Sequence, residues 1–434
     1  MYFHKTFYPQ AEWIQVLRTI LHLQSDTMHF LKKLFSLTIL WLTIFNLYAQ
    51  SEKAIRIHGK AVLTDTHNDI LGDVVDKQVN FSTDLSASNH TDMTRLKAGG
   101  MKVQVFSIFC DERYGKGTAF AKANRHMDSL MAIIERHPDE LQLATTPAHI
   151  KQVNKSGKIA CMMGVEGGHM MEDRLDYLDS LYKRGARYMT LTWNNSTSWA
   201  TSAKDETENT IPDIYLKKGF TMADRGLDSM GIRVVKRMEE LGMMIDISHV
   251  GEATFRDVLK MAKKPVIASH SSVYSLSPHR RNLKDYQLKA IRDNNGVVFV
   301  NFYSGFLDSA YEKRKNALLQ NHRAEMDSLR EAGKVAYEID GILSKKYPEE
   351  AGQLRPPLGL LIDHIDYIVK LIGVNHVGLG SDFDGIESAP QGLEGVQDFP
   401  KITEALLQRG YSAKDIKKIL GGNFMRVLKA TSKG

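Results

Sequence analysis

The chain has only two cysteines among its 434 residues, Cys110 and Cys161. The first falls at the end of one predicted strand and the second near the start of the next, so in adjacent parallel strands they lie at different heights. The stretch of strand from Cys161 to Glu166 spans roughly 16 Å, whereas a disulfide needs Cα atoms within about 7 Å of each other. We therefore predict two free thiols and no structural disulfide.

Several other features are missing from the sequence. The net charge is only +6 without a clustered basic face, which argues against a nucleic-acid-binding protein. No internal repeat of solenoid length is present. The segment LTDTHND after the first predicted strand lacks a glycine-rich phosphate-binding turn, which disfavours a doubly wound dinucleotide-binding sheet. The hydrophobic content of 43% and charged content of 25% are typical of a globular protein.

The apolar run Leu34–Leu47 is too short to span a bilayer comfortably, and a lysine pair precedes it. With Ala49 at the cleavage position, the pattern predicts a secretory signal peptide over residues 28–49, an uncleaved membrane anchor being the alternative. Residues 1–27 precede Met28, which is a better start for a chain with a signal peptide. They form an N-terminal extension of uncertain status, and a mis-assigned start is one explanation. No cysteine follows the run, which excludes a lipoprotein anchor. We expect a periplasmic or extracellular protein without a stable membrane span after cleavage.

Eight short apolar runs alternate with helical intervals, which predicts an α/β protein with a (β/α)8 barrel of the TIM type over residues 50–434. The predicted strands are Ala61–Thr66, Met101–Phe109, Lys158–Val165, Tyr188–Thr192, Met243–Ser248, Pro265–Ser269, Gly296–Asn301 and Val374–Gly380. Residues 307–353 interrupt this alternation of strands and helices, and their composition predicts a helical insertion of one or two helices before the last strand. A solvated surface hairpin, a lid and an oligomer contact are all compatible with its composition.

Imidazoles and carboxylates follow five of these strands, at ends that converge on one cleft in an α/β barrel. The residues are His67 and Asp69 after the first strand, Glu166 after the third, His249 and His270 after the fifth and sixth, and Asp382 and Asp384 after the eighth. Imidazole together with carboxylate suits zinc, so the set predicts a site for one or two divalent metal ions. A lone histidine is more often structural, but five matching strand ends argue against coincidence. For Asp384, a role in the turn before Gly385 is the better interpretation.

Six motifs in this order resemble the membrane (renal-type) dipeptidases, the M19 metallopeptidase family of amidohydrolase-like barrels. They are DTHND, GVEGGH, IDISHV, SHSSVYS followed by RRN, VNFY and GSDFDG, spread from about Leu63 to Met425. The resemblance implies two zinc ions per chain. His67 and Asp69 would bind the first, His249 and His270 the second, and Glu166 would bridge both.

The resemblance also implies how a substrate is cleaved. A hydroxide between the two zinc ions would attack the peptide carbonyl. Asp382 would be the catalytic carboxylate that handles protons, and Arg281 would bind the C-terminal carboxylate of the substrate. The family usually has histidine where this chain has Trp193. Its indole could donate to the oxyanion, as could Asn194 or Asn195, or Trp193 could only shape the pocket.

We therefore expect an exported zinc-dependent dipeptidase acting on dipeptides with a free C-terminal carboxylate. One alternative is a related amidohydrolase that acts on N-acyl amino acids or lactams. Another, of a different class, is a non-catalytic binding protein on a metal-stabilised barrel. The resemblance leans towards a homodimer and identifies neither the preferred dipeptides nor their stereochemistry.

Overall fold

The structure is a computed structural model that describes residue 15, residues 51–209 and residues 226–432. Apart from residue 15, the predicted N-terminal extension and signal peptide therefore lie outside the described residues. Within the described ranges, no helix combines the length and the apolar character needed to cross a membrane.

Internal contacts divide the chain into two units, Met1–Ala54 and Ile55–Gly434. In the first unit the structure describes residue 15 and residues 51–54, which are helical. The second unit contains every strand that the structure describes and every predicted site residue, and the following description concerns that unit.

The strands of the second unit form one parallel sheet that closes into a barrel. They are β1 (Thr64–Asn68), β2 (Val103–Phe109), β3 (Leu141–Leu143), β4 (Ile159–Glu166), β5 (Ala186–Thr190), β6 (Met244–Asp246), β7 (Ile267–Ala268), β8 (Val297–Val300) and β9 (Val377–Leu379). Their order is β1-β2-β4-β5-β6-β7-β8-β9, and β3 pairs with β4 outside this path. The seam is closed by hydrogen bonds from Asp69 N to Phe383 O (2.9 Å) and from Asp382 N to His67 O (3.1 Å). The predicted (β/α)8 barrel is confirmed.

Helices surround this sheet. They are Ile70–Asp76, Met93–Ala98, Ala119–Arg136, Pro147–Lys155, Leu175–Lys183, Ala203–Glu208, Ser229–Leu241, Glu252–Met261, Asp285–Asp293, Ser304–Leu307, Tyr311–Asn321, Arg323–Glu331, Ala336–Lys346, Pro348–Leu354, Leu358–Ile372, Phe399–Gln408, Ala413–Lys417 and Asn423–Thr431.

Strands β6 and β7 are shorter than the apolar runs that predicted them. The carboxylate of Asp246, the last residue of β6, accepts hydrogen bonds from Ser248 N (3.0 Å) and Ser269 N (2.9 Å) through Oδ1. These two backbone donors are satisfied by a side chain rather than by a neighbouring strand, so the ladder ends early. The strand β3 was not predicted, because a three-residue strand carries too short an apolar pattern.

The barrel interior is tightly filled around Tyr188 of β5. Gly164 lies beside its ring, and a Cβ atom at Gly164 would overlap the tip of the ring. The register pairs Gln104 with Cys161, so Cys110 lies six positions further along the neighbouring strand. Both cysteines are buried and free, as predicted.

The predicted insertion consists of four helices, which lie between Tyr311 and Leu354, rather than one or two. It has a small hydrophobic cluster of its own, formed by Met326, Ile339 and Leu343. Lys315 joins it to the barrel, because this largely buried ammonium lies 3.3 Å from the Glu387 carboxylate that follows β9. The insertion is therefore a packed element fixed to the loops at the mouth of the barrel.

Candidate metal centre

The carboxylate of Glu166, the last residue of β4, lies between three imidazoles. Its Oε2 is 3.2 Å from Nε2 of His67, and its Oε1 is 3.0 Å from Nε2 of His249 and 3.4 Å from Nε2 of His270. The Nε2 atoms of His249 and His270 are 3.0 Å apart. All four side chains are buried. The barrel thus brings three of the predicted ligands together around the carboxylate of a fourth.

Two further carboxylates lie on the His67 side of this cluster. Nε2 of His67 is 3.4 Å from Asp69 Oδ2 and 4.0 Å from Asp382 Oδ1. The ligand atoms of His67, Asp69 and Asp382 all lie within 4.8 Å of one another, as do those of His67, Glu166 and His270. Asn301, the residue after β8, donates a 2.7 Å hydrogen bond to Oδ2 of Asp382 and leaves Oδ1 turned towards the cluster.

A buried hydroxyl fixes the tautomer of His67. The Tyr188 hydroxyl donates to the carbonyl of Thr66 (2.9 Å), so its oxygen accepts the hydrogen on Nδ1 of His67, also at 2.9 Å. With the hydrogen on Nδ1, Nε2 carries a lone pair and points it at the carboxylates. A metal-binding imidazole needs this orientation.

A second hydroxyl does the same for His270. The Ser269 hydroxyl donates to Oδ2 of Asp246 (2.5 Å) and accepts from Nδ1 of His270 (2.8 Å). Nε2 of His270 is therefore also left with a lone pair, which faces Glu166 and His249. Tyr188 orients His67 and Ser269 orients His270 in the same way, although the two hydroxyl groups come from different strand regions.

These arrangements fit divalent metal ions. Lone pairs of two imidazoles face carboxylate oxygens at 3.2–3.4 Å without a hydrogen atom between them, an arrangement that a cation would stabilise. Among the described residues, the buried Oδ1 of Asp69 has no hydrogen-bond partner either. Imidazole and carboxylate donors in this ratio are those that zinc prefers.

Burial and mutual repulsion separate the pKa values of the carboxyl groups. Burial raises the pKa of Asp382 well above its usual range, and the charges of Asp69 and Glu166 raise it further, against the opposing effect of His67. Burial also favours the neutral form of Glu166. Protonation of the imidazoles would oppose this, because a charged His67 and hydrogen bonds donated by His249 and His270 hold the pKa of Glu166 well below its usual value. Burial lowers the pKa of His249 to about 3, with the Arg281 charge adding to the effect.

Left-handed backbone conformations occur at three site residues that are not glycine. The φ angles are +65° at His249, +62° at Asp382 and +68° at Asp384. Such conformations cost roughly 1–3 kcal/mol each and concentrate at functional sites. The neighbouring Gly385 is required for another reason, because a Cβ atom there would overlap the carboxylate of Asp69 and lie 2.8 Å from that of Asp382.

The structure separates the two adjacent arginines that follow β7. Arg281 is 5% exposed and donates from Nη2 to the carbonyl of His270 (3.2 Å), whereas Arg280 is exposed and lies 3.5 Å from the Glu208 carboxylate. Burial lowers the pKa of Arg281 to about 10, although the charges of Asp382 and Glu166 raise it. Arg281 is therefore the member of the pair that faces the predicted ligands. These are hereafter called the metal-ligand cluster and comprise His67, Asp69, Glu166, His249 and His270.

Two of the remaining predicted residues have distinct places. Asp384 accepts a 2.7 Å hydrogen bond from His90 N, and its own backbone N–H donates to His90 Nδ1, which fits the turn role expected for it. The ring of Trp193 is 9% exposed and lies 6.3 Å from the His249 ring.

Tyr188, Ser269 and Asn301 were not identified as site residues from the sequence. Ser269 and Asn301 lie inside the quoted motifs and could have been found there, whereas Tyr188 looks like an ordinary strand residue.

A model of the membrane dipeptidase family, peptidase family M19, matches residues 51–433. Solved structures with the same fold include the probable dipeptidase PvdM from Pseudomonas aeruginosa, with 23% identity, a TM-score of 0.72, and coverage of 88% of this chain and 98% of that one. Dipeptidase AC, a metallopeptidase of family M19, has 23% identity and a TM-score of 0.68, covering 86% and 98% of the two chains.

A metallopeptidase from Rhodobacter sphaeroides, solved with a phosphinate mimic of the dipeptide L-Ala-D-Ala, has 22% identity and a TM-score of 0.68, covering 86% of this chain and 99% of that one. These similarities establish the shared barrel. The family model spans nearly all of the described chain and every residue of the metal-ligand cluster. The chain therefore belongs to the membrane dipeptidase family, peptidase family M19, and is a metallo-dipeptidase.

Proposed function

We propose that this protein is an exported, zinc-dependent enzyme that hydrolyses dipeptides carrying a free C-terminal carboxylate. The observation that carries the proposal is the position of Glu166, which lies between His67 on one side and the His249–His270 pair on the other. A buried arginine, Arg281, faces the same cluster. The cluster provides metal ligands, and the arginine provides a partner for an anionic end of the substrate.

His67 and Asp69 would hold one zinc ion, His249 and His270 the other, and Glu166 would bridge them with its two oxygens. When bound, the two ions would supply a hydroxide nucleophile at neutral pH and polarise the peptide carbonyl. The separate contacts of Oε1 with the His249–His270 pair and of Oε2 with His67 support the bridging role.

Asp382 would transfer the proton from the nucleophile to the leaving amine. Its Oδ2 is held by Asn301 and its Oδ1 faces His67, so one oxygen is fixed while the other is available to a substrate. Burial and neighbouring carboxylates raise its pKa, and a carboxyl group that accepts a proton readily is suited to general acid–base work.

Arg281 would bind the C-terminal carboxylate of the dipeptide. Its guanidinium is buried, and its Nε has no hydrogen-bond partner among the described residues. A planar guanidinium with free donors matches the geometry of a carboxylate. Trp193 lies against His249 on another side of the cluster, where its indole would shape the pocket or donate to the oxyanion.

The first prediction concerns metal content and turnover of protein that starts at Gln50. We expect about two zinc ions per chain, loss of dipeptide hydrolysis on chelation and recovery on adding zinc, because the donor set fits two ions. Metal analysis by mass spectrometry beside a hydrolysis assay tests this. An Asp382→Asn variant should keep its zinc and lose turnover. Substantial hydrolysis by that variant would contradict the proposed mechanism, and two zinc ions without hydrolysis of any dipeptide would reject the substrate.

The second prediction concerns the hydroxyl that fixes His67. Tyr188→Phe keeps the ring that fills the space beside Gly164 but removes the acceptor of the Nδ1 hydrogen. We expect zinc affinity to fall roughly 10- to 100-fold, measured by competition with a coloured chelator. Tyr411→Phe is the matched control, because its hydroxyl bonds Asp366 instead of a site residue. Unchanged affinity in Tyr188→Phe would show that the hydroxyl does not orient His67.

The third prediction concerns recognition of the substrate carboxylate. Arg281→Gln should lower kcat/KM for a dipeptide roughly 10- to 100-fold, the equivalent of one charge-assisted hydrogen bond. It should also abolish discrimination between the dipeptide and its C-terminal amide. Arg280→Gln, one residue away and exposed, should change neither quantity. If Arg281→Gln still preferred the free acid as strongly as the wild type, the carboxylate would be bound elsewhere.

The fourth prediction concerns export. The lysine pair, the apolar run Leu34–Leu47 and Ala49 support cleavage by a signal peptidase. We expect the mature protein to begin at Gln50 and to be found in the periplasm or the medium. N-terminal sequencing after cell fractionation tests this, and an intact chain confined to the cytoplasmic fraction would refute it.

A further inference from the structure

The helical insertion reaches the mouth of the barrel through Tyr337, near the start of the helix Ala336–Lys346. The Tyr337 ring lies 6.4 Å from the ring of Trp193, at 89° to it. The Trp193 ring lies 5.0 Å from Phe109, the last residue of β2, and 6.3 Å from the metal-cluster residue His249. The three aromatic side chains therefore form one continuous surface, hereafter the aromatic wall, that adjoins the metal-ligand cluster.

Polar contacts with the loop after β2 hold Tyr337 in place. Its hydroxyl donates to Oδ2 of Asp111 (3.0 Å), and Asp111 is nearly buried. Arg113 binds the same carboxylate through Nε (3.0 Å) and lies 3.6 Å from Glu338, the next residue of the insertion. Two consecutive insertion residues thus contact the loop after β2, and the ring of Tyr337 remains 47% exposed.

The aromatic wall and Arg281 lie on different sides of the metal-ligand cluster. Two residues of the wall, Phe109 and Trp193, lie at the end of β2 and after β5, the strands that flank β4. Arg281 follows β7. A dipeptide whose carboxylate is bound by Arg281 and whose peptide carbonyl lies at the cluster must direct its N-terminal residue away from Arg281. Asp111 is already paired with Arg113. The carboxylate of Asp111, which lies beside the wall, is therefore not an unpaired charge for a polar side chain of the substrate.

We propose, on the basis of the function proposed above, that the aromatic wall of Phe109, Trp193 and Tyr337 binds the side chain of the substrate's N-terminal residue and selects large apolar or aromatic side chains. Tyr337 is a specificity-determining residue supplied by the insertion. Its exposed ring buries apolar substrate surface, and aromatic pairs gain further from edge-to-face contact. The insertion therefore acts as part of the substrate pocket.

The test compares kcat/KM for Phe-Ala and Gly-Ala in the wild type and three variants. The wild type should prefer Phe-Ala by roughly tenfold or more. Tyr337→Ala should lower kcat/KM for Phe-Ala more than kcat/KM for Gly-Ala, so that the preference falls by roughly five- to tenfold, while the zinc content stays near the wild-type value. Tyr337→Phe, which keeps the ring, should retain most of the preference. Ile342→Ala, an exposed position on the same helix, is the matched control and should behave as the wild type.

The outcomes separate this inference from the proposed function. A wild type that hydrolyses both dipeptides without preferring Phe-Ala overturns the aromatic pocket but leaves the dipeptidase proposal standing. An unchanged preference in Tyr337→Ala, or an equal loss for both substrates, overturns the role of Tyr337. A wild type that retains zinc and hydrolyses neither dipeptide refutes the proposed function, and this inference fails with it.

Discussion

The structure of the site depends on one buried carboxylate, that of Glu166, which lies within 3.0–3.4 Å of three imidazole nitrogens. A buried charge is expensive unless it is paired and hydrogen-bonded. Two of the imidazoles have their hydrogens directed away from Glu166, towards hydroxyl groups, so lone pairs face an anion. This arrangement suits the binding of cations. Burial, together with the charges of Asp69 and Glu166, raises the pKa of the neighbouring Asp382 carboxyl.

The barrel provides the rigidity that such a cation-binding site needs. Tyr188 and Ser269 are themselves held by the Thr66 carbonyl and by the carboxylate of Asp246. The same carboxylate receives two backbone N–H groups and ends β6 and β7 early. These hydrogen bonds orient His67 and His270 inside the barrel, and the left-handed conformations of His249 and Asp382 persist because the surrounding contacts over-determine them.

The insertion shows how a common barrel can acquire its own pocket. Its small hydrophobic cluster keeps its helices together, and the contacts of Lys315 and Tyr337 fix it to loops after β9 and β2. The metal-ligand cluster lies at the strand ends, where the fold requires convergence. The adjoining surface is built from a loop and an insertion, which can vary without disturbing the strands.

The sequence by itself determined the barrel and which imidazoles and carboxylates gather at its strand ends, because apolar strand runs and the polar residues that end them are local patterns. The resemblance named Arg281, and the tertiary structure showed that it is the buried member of the arginine pair. Only the tertiary structure revealed the contacts of His67 with Tyr188 and of Asp111 with Tyr337. These partners are 121 and 226 residues apart in the chain. No local periodicity encodes such a pairing, since it arises only when the sheet closes and the insertion packs across its mouth.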